Sequence, residues 1–210
     1  MGWGRRSVGG VVLVISLLVW MALGAGLAPV GQPTLPYSPS DGDVACRAKE
    51  VPWSEARPLR VRDFRSEERV RGLSAEAATG IGARSAAEPD NRHFRITITS
   101  FFDPCDSWMR EEERNDYTLA HEQLHFDITE LHARKLAARY VREVRDHGDF
   151  LRVHQRYYDE AWAASRAMQV KYDSEVYGDR EAQERWGREV AAALAEYEAY
   201  AEKVVVLPIR

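Results

Sequence analysis

Between His93 and Phe102 the chain alternates: Phe94, Ile96, Ile98 and Phe102 fall on one side, Arg95, Thr97 and Thr99 on the other. This is the period-two pattern of a strand with one buried face, and Asp103-Pro104 ends it. Upstream the pattern is broken. Val51 to Phe64 carries Leu59, Val61 and Phe64 near an alternating spacing, and the stretch around Gly80 and Gly82 predicts a short strand or a turn. Beyond Asn115 the text becomes helical. No Gly or Pro interrupts it from Asp116 until Gly148, which predicts one long helix from Asp116 to near Asp146. A second helix is expected from near Asp149 to Val176, with Gly178 as its breaker. A third is expected from near Arg180 to Lys203, where Trp186, Val190, Leu194, Tyr197 and Ala201 form a packing stripe. Strands first and helices second predict an α+β fold: a small N-terminal sheet, a long helix, then two further helices.

The N-terminus changes the setting. Arg5 and Arg6 precede an uncharged run from Gly9 to Val30. Its make-up is that of a secretory signal, and its length also suits a retained membrane anchor. Residues 1–30 are read as one or the other, 31–43 as a Pro/Gly/Ser-rich linker and 44–210 as the functional domain. Both readings place the domain outside the cytoplasm: periplasmic, secreted or tethered to the membrane. In that compartment the two cysteines, Cys46 and Cys105, are expected to pair rather than remain two buried thiols. A net charge of -4, without clustered Lys/Arg, argues against a nucleic-acid-binding surface. Oligomeric state and substrate identity are not readable from the sequence.

The predicted long helix contains His121-Glu122-Gln123-Leu124-His125, an H-E-x-x-H motif. Histidines four residues apart stand one turn apart on the same face, so both rings can reach one metal ion. Glu122 lies about 100° around from His121 and can take a proton from a water at that metal. The same five residues also occur as an ordinary solvated helix face. The mid-helix position, exported context and upstream strand favour Zn2+. Metalloproteases of the zincin type hold an extended substrate along a sheet edge. The strand at His93–Phe102 is either such an edge or a plain core strand.

The run Leu119-Ala120-His121-Glu122-Gln123-Leu124-His125-Phe126-Asp127-Ile128 resembles the signature of a secreted bacterial family catalogued as domain of unknown function 922, regarded as zinc proteases. Other segments are similar to that family: Trp53, Arg57-Pro58-Leu59, Asp63-Phe64, Thr79-Gly80-Ile81 and Ser107-Trp108. So are Met168-Gln169, Tyr172-Asp173-Ser174-Glu175, Gln183 and Trp186. The likeness spans Val51 to Trp186 and implies a zincin-like fold and a peptide or protein substrate. It departs where the family carries Thr-x-His, here Val176-Tyr177-Gly178.

Two histidines do not complete a catalytic zinc site. His132 is near His121 on the helical wheel, yet about 10 Å beyond His125 along the axis. Glu130 points about 180° away from His121, and no Gly follows His125 early enough to bring a third histidine back. Glu175 remains as third ligand. With Asp179 it forms E-x-x-x-D, which resembles the gluzincin arrangement in which the Asp orients a ligand histidine. Tyr177, and Tyr172 beside it, are candidate oxyanion donors. The expected activity is peptide hydrolysis by a zinc-activated water with Glu122 as general base. The alternative is a non-catalytic exported module that uses the same scaffold to bind metal or a partner. Tyr157, Tyr158 and Trp162 would be its surface, or else plain core. His93, His147 and His154 read as surface or packed histidines.

Overall fold

The computed structural model describes residues 46–67, 73–176 and 178–209. The segments expected to be a signal or anchor (1–30) and a linker (31–43), and Tyr177, lie outside the described residues. Among those described, no helix is long and apolar enough to cross a membrane.

Among the described residues there are six strands and three α-helices: β1 (Val51–Pro52), β2 (Ala75–Glu76), β3 (Thr79–Ala87), β4 (His93–Phe102), β5 (Trp108–Met109), α1 (Asp116–Glu143), α2 (His147–Val176), α3 (Arg180–Glu196) and β6 (Val204–Pro208). The α+β class and the three helices are as expected, and β4 has the predicted limits. The chain returns to the sheet after the helices, however. The third helix stops at Glu196, and β6 follows a single 3-10 turn at Glu198–Tyr200. Nothing in the apolar stripe around Trp186 separated that last strand from a continuing helix.

β4 is the central strand of an antiparallel four-stranded sheet. β3 pairs along one side from Thr79↔Phe102 to Ala87↔Phe94. β1 and β6 share the other side, through Val51↔Phe102 and through Val204 to Pro208 against Thr97 to His93. β4 therefore has no free edge, and the substrate-edge alternative is corrected to the core-strand one. β2 and β5 form a separate two-stranded ladder. Gly80 faces Phe101 in the register, and a Cβ there would run into the Phe101 ring. Only glycine lets the aromatic lie over the strand.

α1 is buried on almost every side. Ala133, Leu136, Ala137 and Tyr140 pack against Phe94, Ile96 and Ile98 of β4. Leu124 and Ile128 meet Tyr172 and Val176 of α2 and Trp186 and Val190 of α3. Phe126 joins Leu59, Phe64 and Phe102 on a third face. Asn115 caps its start by accepting from Thr118 N at 3.0 Å. At the α2–α3 joint Gly178 has φ 73°, the left-handed conformation that ends helices. Cys46 and Cys105 form a disulfide, with their Cα atoms 5.5 Å apart. Tyr157 is core, and Tyr158 and Trp162 pack against it. The Tyr158 hydroxyl donates to Ile81 O at 2.5 Å.

Candidate metal centre

His121 and His125 project from the same face of α1 towards α2, as the one-turn spacing requires. Their Nε2 atoms are 3.2 Å apart. Asp173 Oδ1 closes the triangle from α2, 2.9 Å from His125 Nε2 and 3.3 Å from His121 Nε2. Among the described residues this is the one group of three His, Cys, Asp or Glu side chains that could hold a metal ion. An ordinary ion pair needs one imidazole and one carboxylate. Here two imidazole nitrogens converge on each other as well as on the acid. Tetrahedral ligand atoms about 2.0–2.1 Å from a zinc ion stand roughly 3.3 Å apart, so the donor triangle has the size of one face of such a site.

Tyr172 walls the pair. Its ring stacks on His121 with centroids 4.7 Å apart and meets His125 edge-on at 5.1 Å. The phenol is directed at His121 O, 3.5 Å away. Burial, then the charges of Glu122 and Asp173, push its proton well above the usual tyrosine range. That suits a packing role better than proton donation.

Glu122 is 4% exposed, and its Oε2 accepts from Ala77 N at 2.8 Å, just beyond β2. Burial raises its pKa, against the opposing charges of His125 and His121. For Asp173 burial acts upward, but the hydrogen bonds and charges of the two histidines hold it well below the ordinary carboxylate range. For His125 burial opposes protonation. The Asp173 hydrogen bond and charge, the charge of Glu122 and the neighbouring Gln169 amide outweigh it, and the pKa rises.

Of the residues expected from the sequence, His121, His125 and Glu122 are brought together. Glu175 is not. Its Oε2 accepts from Trp186 Nε1 at 2.9 Å, and Lys171 stands beside it. Asp173, two residues earlier, occupies the position expected of Glu175. Asp179 is likewise corrected: its carboxylate caps α3, accepting from Ala182 N at 3.0 Å, and orients no histidine. Glu130 points elsewhere, as the wheel predicts, and His132 lies away from the pair, as its distance along the axis predicts. Glu130 pairs with Arg134 and Lys203, and His132 lines a cleft with Lys135 and Arg139. His93 pairs with Asp90, His154 bonds the Tyr140 hydroxyl, and His147 packs against Phe94.

The remaining motif residues are fasteners. Asp127 Oδ1 accepts from Trp53 Nε1 and from Gln123 Nε2, both at 2.7 Å. Gln123 Oε1 accepts from Leu59 N at 2.7 Å. Gln123, inside the H-E-x-x-H motif, and Asp127, two residues after it, thus lie on the opposite side of α1, where they hold the N-terminal segment. Gln183 ties α3 to Tyr117 O at 3.1 Å.

Compared with models of known protein families, with curated proteins and with solved structures, the chain matches none.

Proposed function

We propose that the protein is an extracytoplasmic zinc-dependent metallopeptidase of zincin-like design. The observation that carries this reading is the convergence of His121 Nε2, His125 Nε2 and Asp173 Oδ1, with Glu122 next to His121 on α1. Two neutral imidazoles and one carboxylate are a hard-to-borderline donor set suited to zinc, and three protein ligands leave a position for water or substrate. A zinc ion there supplies a Lewis acid and a water of lowered pKa.

The chain's own residues do the rest. Asp173 spans from α2 to α1 and keeps the two histidine rings directed at one point. Glu122 is the proton acceptor. The Ala77 N–H fixes one of its oxygens, which holds the carboxylate in place for general-base work. The disulfide is compatible with an oxidising compartment, which supports export.

Purification without chelator followed by zinc analysis tests the centre; about one zinc per chain is expected. Glu122→Gln should keep that zinc while hydrolysis of an unstructured protein substrate falls by at least the roughly 100-fold typical of a lost general base. Absence of zinc, with no affinity on titration, overturns the metal centre. Zinc retained with no hydrolysis in wild type favours the non-catalytic metal-binding module.

A further inference from the structure

His125 has a second nitrogen that the metal centre does not account for. Nδ1 is buried and has no hydrogen-bond partner. An imidazole that offers its Nε2 lone pair to an ion carries its proton on Nδ1. The orphan atom is then a buried donor in need of an acceptor.

We propose that Gln169 is the positioning residue that supplies this acceptor: its carboxamide oxygen receives Nδ1–H of His125 and so fixes the ring as a ligand. This rests on the metal-centre reading above. Gln169 sits one turn before Asp173 on α2, so the same helix face delivers both groups to α1. Its Nε2 donates to Ser165 Oγ at 3.2 Å and to Thr129 Oγ1 at 3.3 Å. Thr129 lies one turn after His125, and its hydroxyl donates to His125 O at 3.0 Å. Thr79 Oγ1 of β3 holds Thr129 Oγ1 at 2.8 Å. With the amide hydrogens taken by two hydroxyls, the oxygen is the end of Gln169 left for the ring. The bare alternative is that Gln169 only ties α2 to α1 through Ser165 and Thr129.

Metal-ligating histidines owe their tautomer and orientation to such acceptors, and losing one weakens metal binding about 10–100-fold. The test titrates Co2+ alone into the wild-type domain and into Gln169→Leu and Gln169→Glu, with thermal unfolding of each as a folding control. Gln169→Leu should fold and bind about 10–100-fold more weakly. Gln169→Glu, which keeps an acceptor oxygen, should bind at least as well as wild type. In zinc-loaded protein, 15N spectra should show His125 protonated at Nδ1, with that resonance shifted in Gln169→Leu. Wild-type affinity in Gln169→Leu, or an unmoved Nδ1 resonance, overturns the proposal while leaving the metal centre intact. Failure of the wild type to bind Co2+ overturns the metal centre and the proposal with it.

Discussion

Asp173 Oδ1 lies 2.9 Å from His125 Nε2, although the two residues belong to different helices. Asp173 rather than Glu175 is therefore the acid to remove. Asp173→Asn should lower zinc affinity by more than the roughly 100-fold upper end of effects from residues behind the ligands. Glu175→Gln, which disturbs the bond from Trp186 and the exposed pair with Lys171, should leave affinity within a few-fold of wild type. Isothermal titration on both variants checks this, and the reverse order would restore Glu175 as ligand.

Glu130 is fully buried, and it compensates Arg134 at 2.8 Å and Lys203 at 2.9 Å while accepting from the Ser100 hydroxyl. The acid joins α1, β4 and the approach to β6. Breaking a buried pair leaves charge without a partner, which costs about 3–5 kcal/mol. Glu130→Ala should lower unfolding stability by that order in urea titrations, with no change in zinc stoichiometry at whatever temperature the variant remains folded.

His132 is 7% exposed, and burial, with Lys135 adding to it, lowers its pKa to about 4. The unfolded chain, with an ordinary histidine pKa near 6.5, binds more protons between those limits. Stability from this group is complete above about pH 6.5 and is lost as pH falls towards 4. The loss is on the order of 3 kcal/mol at its greatest. Urea titrations across that window should show the slope in wild type, and His132→Leu should flatten it.

The Cys46–Cys105 bridge closes a sequence separation of 59 residues. Chain entropy assigns such a loop about 4 kcal/mol of stabilisation. Cys46→Ser with Cys105→Ser should lower stability by up to that amount, and a reductant should do the same to wild type and nothing to the double variant.

Local periodicity by itself determined β4, the three helices and the pairing of His121, His125 and Glu122. Each depends on spacing within a turn or along a pleat. Asp173, the third member of the cluster, did not follow, for a geometric reason. On α2 the apolar pair Tyr172 and Val176 marks the face that packs on α1 and α3, and Asp173 and Glu175 flank it about 80° to either side. The crossing of α2 over α1 decides which flank meets the histidines, and no sequence spacing encodes that crossing. The same holds for Asp179, whose position one residue before α3 makes it a cap. β6 was hidden because its pairing partner is β4, remote in the chain. Valines at 204 to 206 extend only because β4 offers them an open side. Spacing along the chain set β4, the helices up to the end of α3 and two of the three side chains of the cluster. Long-range packing chose the carboxylate that completes it.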